Sequence, residues 1–171
     1  GICGGMQMLG RKLNDPLYLE SDKKSDCSSE YIGLNLLPLD TIFQPKKSVL
    51  RRNIIAFWPE EAPLTGYELH HGSSKPIESN EYIMKPLMED PRLGWVFKPN
   101  NQTLIAGTYL HGIFENGRWR RLWLNSIRQR KGLLDLSLEE PNYVKHREYL
   151  IDLLADVFEK NINLTPLLED E

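Results

Sequence analysis

The chain has 171 residues and a formal net charge of −3, with 40% hydrophobic and 26% charged residues. This size suits one domain with a sizeable core, and the slight acidity gives no electrostatic reason to expect nucleic acid or an anionic membrane as a partner. No apolar run reaches the roughly 20 residues that span a bilayer, and two cysteines, Cys3 and Cys27, are too few for a disulfide framework. A chain without a leader peptide, in a reducing cytoplasm, is the expectation.

The opening GICGGMQMLG surrounds Cys3 with glycines and runs into a helix predicted over residues 4–13, with Met6, Met8, Leu9 and Leu13 as its apolar content. Asn14-Asp15-Pro16 stops that helix, because proline lacks a donor and pushes its predecessor out of helical geometry. Residues 20–30 are polar and read as a mobile surface loop in which Cys27 is a free thiol. Strand character follows over residues 32–39, 48–58, 66–71, 82–87 and 95–98, separated by Pro38, Pro59, Pro63 and Pro99-Asn100-Asn101. Residues 104–110 are almost continuously apolar, as in a strand covered on both faces, and deliver His111 at their end.

Two helices complete the chain. Over residues 118–130, Trp119, Leu122, Trp123 and Ile127 share one face, and the six basic residues of 118–131 read as a solvated one. In the closing helix Leu150, Leu153, Leu154, Val157 and Phe158 repeat at helical spacing, and the tail after Asn161 frays. The pattern is α/β, with helices flanking a central sheet.

Glycines around a nucleophile have a physical reason. A strand-to-helix elbow forces the nucleophile into unfavourable backbone geometry, and neighbours without side chains relieve the crowding. The following helix aims its positive end at the sulfur and favours the thiolate. The Gly4 N–H, with Gln7 one turn on, is the candidate for oxyanion and substrate binding. A small buried hydrophobe is the competing reading of Cys3. A cysteine nucleophile needs a proton shuttle, and His111, at the carboxyl end of an apolar strand where open α/β sheets build sites, is the candidate. A satisfied core histidine is the alternative there, and the pairing with Cys3 decides for function. His70 and His71 fall on opposite faces of a strand, so at most one is expected to face a site. A zinc site from Cys3, His70, His71 and His111 lacks close-paired ligands and would consume the nucleophile.

GICGGMQMLG, GLNLLPLDT, GYELHHG and GTYLHGIFEN, in that order, with the closing HREYLIDLLADVFEKNINL, resemble the class I glutamine amidotransferase domain of the cobyric acid synthase family. The resemblance implies a central, largely parallel sheet flanked by helices, with the first strands upstream of Gly1. It implies an amidotransferase domain over residues 1–164 and an acidic tail over 165–171. Cys3 is then the nucleophile and His111 the catalytic histidine, with Glu68, His70 and Glu115 as accessory candidates. Class I enzymes usually place a glutamate two residues after the histidine. Here that residue is Ile113, which fits a branch read as a Cys–His pair and leaves the group orienting His111 unassigned, with a backbone carbonyl as one option.

The resemblance further implies no cofactor or metal in this domain. Its partners would be glutamine, a synthetase domain that uses ATP and Mg²⁺, and a corrinoid substrate. Ammonia released from glutamine would amidate adenosylcobyrinic acid a,c-diamide, and this stretch alone is expected to be a poor glutaminase. Two alternatives stay open: an amidotransferase subunit acting on lipid II in cell-wall synthesis, and a non-catalytic binding remnant.

Overall fold

The computed structural model describes residues 1–21, 29–77, 83–99, 103–139 and 143–163. The readings placed on Cys27, Tyr82, Asn100-Asn101 and the 165–171 tail lie outside these residues. A short helix, α1 (Gly4–Leu9), opens the fold. It stops well before the predicted residue 13, because Gly10 turns extended and the Arg11 N–H is captured by the Leu39 carbonyl at 2.7 Å. Lys12–Asn14 therefore forms a strand, β1, followed by β2 (Glu30–Ile32).

The body of the molecule is a long hairpin of β3 (Leu39–Ala56) and β4 (Ala62–Pro76), paired from Leu39 opposite Pro76 to Ala56 opposite Ala62. Three short strands follow, β5 (Met84–Pro86), β6 (Gly94–Phe97) and β7 (Ile105–Thr108), which make a separate antiparallel sheet in that order. The last strand, β8 (Leu110–His111), returns to the edge of β4, so the larger sheet runs β2-β1-β3-β4-β8. The run predicted as one strand over 104–110 is thus two. The chain changes sheets at Tyr109, whose N–H bonds the Leu93 carbonyl at 2.7 Å.

The α/β class holds, but the expected largely parallel sheet is corrected. Among the described strands only β1 and β3 pair in parallel, with one isolated parallel bridge from Ile2 to Thr108. The reason lies in the connections. A parallel pair needs a crossover of a dozen or more residues, whereas the short link between β3 and β4 allows only the antiparallel hairpin.

The core gathers Met6 from α1, Leu39 and Leu64 from the hairpin, and Leu110. The helix α2 (Gly117–Arg130) buries Trp119 and Leu122 against it, as its apolar stripe predicts. Asn116 pins this helix to β4: its side-chain oxygen accepts from the Thr65 N–H at 2.9 Å and hydroxyl at 3.1 Å, and its amide donates to the Thr65, Gly112 and Ile113 carbonyls. The closing helix α3 (Tyr143–Asn161) forms where periodicity placed it, yet its apolar row does not pack. Leu150, Leu153, Leu154, Val157 and Phe158 are 43–56% exposed.

Candidate active site

Cys3 sits where a bridge to β7 ends and α1 begins. Its N–H donates to the Thr108 carbonyl at 2.7 Å, and its backbone holds φ 52° and ψ −118°. A non-glycine residue in that region is strained and persists only where its surroundings fix it. Relief of crowding falls on Gly1, where a Cβ would lie 2.5 Å from the Gly5 carbonyl carbon, whereas a Cβ on Gly5 would meet nothing. At the start of α1 the N–H groups of Gly5 and Met6 bond the Ile2 and Cys3 carbonyls, both at 2.9 Å. The Gly4 N–H has no such partner among the described residues, as the first turn of a helix leaves its donors open.

Cys3, Gly4, Gln7, His70, His71 and His111 meet at one pocket of about 470 Å³. The thiol donates to the Leu69 carbonyl at 3.4 Å. His111, closing β8, stacks on Tyr67 with ring centroids 4.9 Å apart and planes at 9°, and its Nε2 is buried with no hydrogen-bond partner among the described residues. The expected cleft is therefore shared, but no hydrogen bond joins the sulfur to the imidazole. Catalytic hydrogen bonds often close only once substrate is in place.

The other candidates are held in different ways. Gln7 is buried, and its amide N–H groups donate to the His71 carbonyl and the Tyr109 hydroxyl, both at 3.0 Å. Its donors are spent inside the fold, so the expected donation to an oxyanion is not open to it. Glu68 is buried and accepts from Arg52 Nε at 2.8 Å, with His70 Nε2 at 3.0 Å from its other oxygen. Burial alone would raise the Glu68 pKa, but the bonds from Arg52 and His70 outweigh it and hold the carboxylate below its ordinary range. His70 lies face to face with Tyr109 at 3.6 Å and contacts the Gly72 carbonyl at 3.0 Å.

Both histidines of GYELHHG line the pocket, which corrects the expectation of at most one. The regular pairing of β4 breaks after His71, where Gly72 adopts φ +86° and β3 carries a bulge between Ile42 and Lys47, so the pocket meets the strand at this break and touches both residues. Glu115 does not join the site. It lies in a 3₁₀ turn after His111, its carboxylate makes no bond to the imidazole, and it is absent from the pocket wall. The ring face of Tyr67, not a carboxylate, is what braces His111.

Sequence reasoning missed Tyr67, Arg52, Tyr109, Lys47 and Glu20. Tyr67 and Tyr109 left a signal, one standing a residue before Glu68 in GYELHHG and the other two residues before His111 in GTYLHGIFEN. A second cavity of about 630 Å³ opens between α2 and β7, but its described lining holds no cysteine, histidine or carboxylate. Among the described residues no three His, Cys, Asp or Glu side chains are grouped as a metal site needs, and no helix is long and apolar enough to cross a membrane.

Residues 1–119 match the CobB/CobQ-like glutamine amidotransferase domain. The chain is 54% identical over 168 residues to the cobyric acid synthase of Prochlorococcus marinus strain MIT 9313, covering 98% of this chain and 34% of that one. It is 47% identical over 169 residues to the cobyric acid synthase of Synechococcus sp. strain CC9605, covering 99% and 32%. The chain thus spans about a third of the length of the curated relatives it matches. A strained cysteine elbow, a histidine across the same pocket and a family match over more than half the residues agree: the chain belongs to the CobB/CobQ-like glutamine amidotransferase family.

Proposed function

We propose that this domain hydrolyses glutamine and supplies the ammonia to an ATP-dependent amidation in cobalamin biosynthesis. The observation that carries the reading is the backbone of Cys3, strained at φ 52° on the turn from a single β-bridge into α1, in the pocket that also holds His111. The Cys3 thiol gives its proton to His111, and the thiolate attacks the side-chain amide carbon of glutamine, forming an S–C bond. The Gly4 N–H stands where the oxyanion develops. His111 protonates the leaving nitrogen, the C–N bond breaks, and ammonia departs. A water that gives its proton to His111 then attacks the thioester, and glutamate leaves as the thiolate returns.

The similarity to cobyric acid synthases supports a corrinoid carboxylate, activated by ATP with Mg²⁺ on a synthetase domain, as the acceptor of the ammonia. The same similarity favours this branch over a lipid II amidotransferase. The test is the production of glutamate and ammonia from glutamine by the full protein, with amidation of adenosylcobyrinic acid a,c-diamide when ATP is added. Absence of glutamine hydrolysis in a folded, complete preparation overturns the reading.

A further inference from the structure

We propose that Lys47 and Glu20 hold the charged end of the glutamine whose side-chain amide is presented to Cys3, an inference that rests on the glutaminase reading above. Both residues line the Cys3 pocket. The thiol contacts the Leu69 carbonyl, and Lys47 stands opposite His71, two residues further along β4. At strand spacing this is about 7 Å from the sulfur contact. Two methylene groups separate the amide carbon of glutamine from its α-carbon, which carries a carboxylate and an ammonium. A glutamine lying along β4 with its amide at Cys3 therefore brings opposite charges to Lys47 and Glu20.

The fold delivers each residue by a specific device. Between Ile42 and Lys47, β3 advances five residues while β4 advances two, and this bulge turns Lys47 into the pocket. The bulge closes against Gly72, where a Cβ would lie 2.8 Å from the Ile42 carbonyl oxygen. Lys47 is exposed and enters no ion pair among the described residues. Glu20 is fixed through Asp15, a buried carboxylate that the chemistry does not use. Asp15 accepts from the Leu19 N–H at 2.8 Å, the Glu20 N–H at 2.9 Å and the Ser21 hydroxyl at 3.1 Å. The Glu20 carboxylate then accepts from His71 Nδ1 at 3.0 Å while its side chain stays 55% exposed. A cation and an anion held apart in this way select free glutamine over amides that lack an α-carboxylate or α-ammonium.

The test uses two electrophiles on the full protein, read at Cys3 by mass spectrometry. One is the diazo ketone analogue of L-glutamine, which carries the zwitterionic end. The other is iodoacetamide, which does not. Lys47→Met and Glu20→Gln should each slow labelling by the diazo ketone roughly tenfold to a hundredfold, the loss of one charged hydrogen bond. Alkylation by iodoacetamide should keep its wild-type rate. Unchanged labelling by the diazo ketone in both variants overturns the assignment, and so does equal slowing of both reagents. The glutaminase reading fails separately, if glutamine does not protect wild-type Cys3 from either reagent.

Discussion

Tyr67 stands directly opposite His111 in the β4–β8 pairing, and the two rings stack 4.9 Å apart. The face of a phenol thus holds the imidazole where class I relatives usually offer a carboxylate. Tyr67→Ala should lower kcat for glutamine hydrolysis by about tenfold through misplacement of His111, with KM little changed. Tyr67→Phe keeps the ring and should stay near wild type. Equal loss in both variants would assign the effect to the hydroxyl.

Cys3→Ser and His111→Ala should both remove glutamine-dependent amidation, since acid–base help from histidine alone is worth about 10²–10⁴-fold. In the proposed division of labour free ammonia enters after the glutaminase step, so amidation driven by ammonium salts should survive in the full protein. Failure of ammonia to rescue either variant would contradict the division of labour.

Glu68 predicts an acid-sensitive fold. Its folded-state pKa is lowered, so its ionised form stabilises the protein above the ordinary carboxylate range. That contribution is lost as pH falls through the depressed folded value, because the unfolded chain takes up the proton first. Glu68→Gln leaves Arg52, among the described residues, with only its longer ion pair to Asp90, at 3.7 Å, and should lower Tm near neutrality. The gap to wild type should narrow as pH falls from about 7 to about 3, read by thermal unfolding across that range. A gap that widens toward acid would reverse the assignment.

Asn116→Ala should be a costly change outside the pocket. One side chain satisfies groups on Thr65, Gly112 and Ile113, and leaving buried backbone groups without partners costs about 1–3 kcal/mol each. A loss of about 2–4 kcal/mol in urea unfolding is expected.

Local features were legible in the sequence. The glycines around Cys3, the apolar run ending in His111 and the stripe of Trp119 and Leu122 each state their role within a few residues. What stayed hidden depends on partners distant in the chain. The Leu39 carbonyl cuts α1 short by taking the Arg11 N–H. The chain runs through Gln44-Pro45-Lys46 as a bulge that the pairing of β3 with β4 steps over, which admits a proline that argues against a regular strand. Gln7 shows nothing in sequence of its bonds to Tyr109 and the His71 carbonyl, which convert a candidate ligand donor into a strut. The α/β class was readable because periodicity reports it. Strand direction was not, because it is set by which strands meet.

Every described side chain of α3 is exposed, and this divides the chain into two tiers of local stability. Helices in proteins draw most of their stability from packing an apolar face, which α3 does not do, whereas amides in the middle of β3 and β4 open only when the hairpin does. Hydrogen exchange should therefore empty α3 within the earliest time points while the hairpin amides remain protected far longer. The closing helix contributes sequence to this chain without contributing to the cooperative unit that holds Cys3 and His111 together.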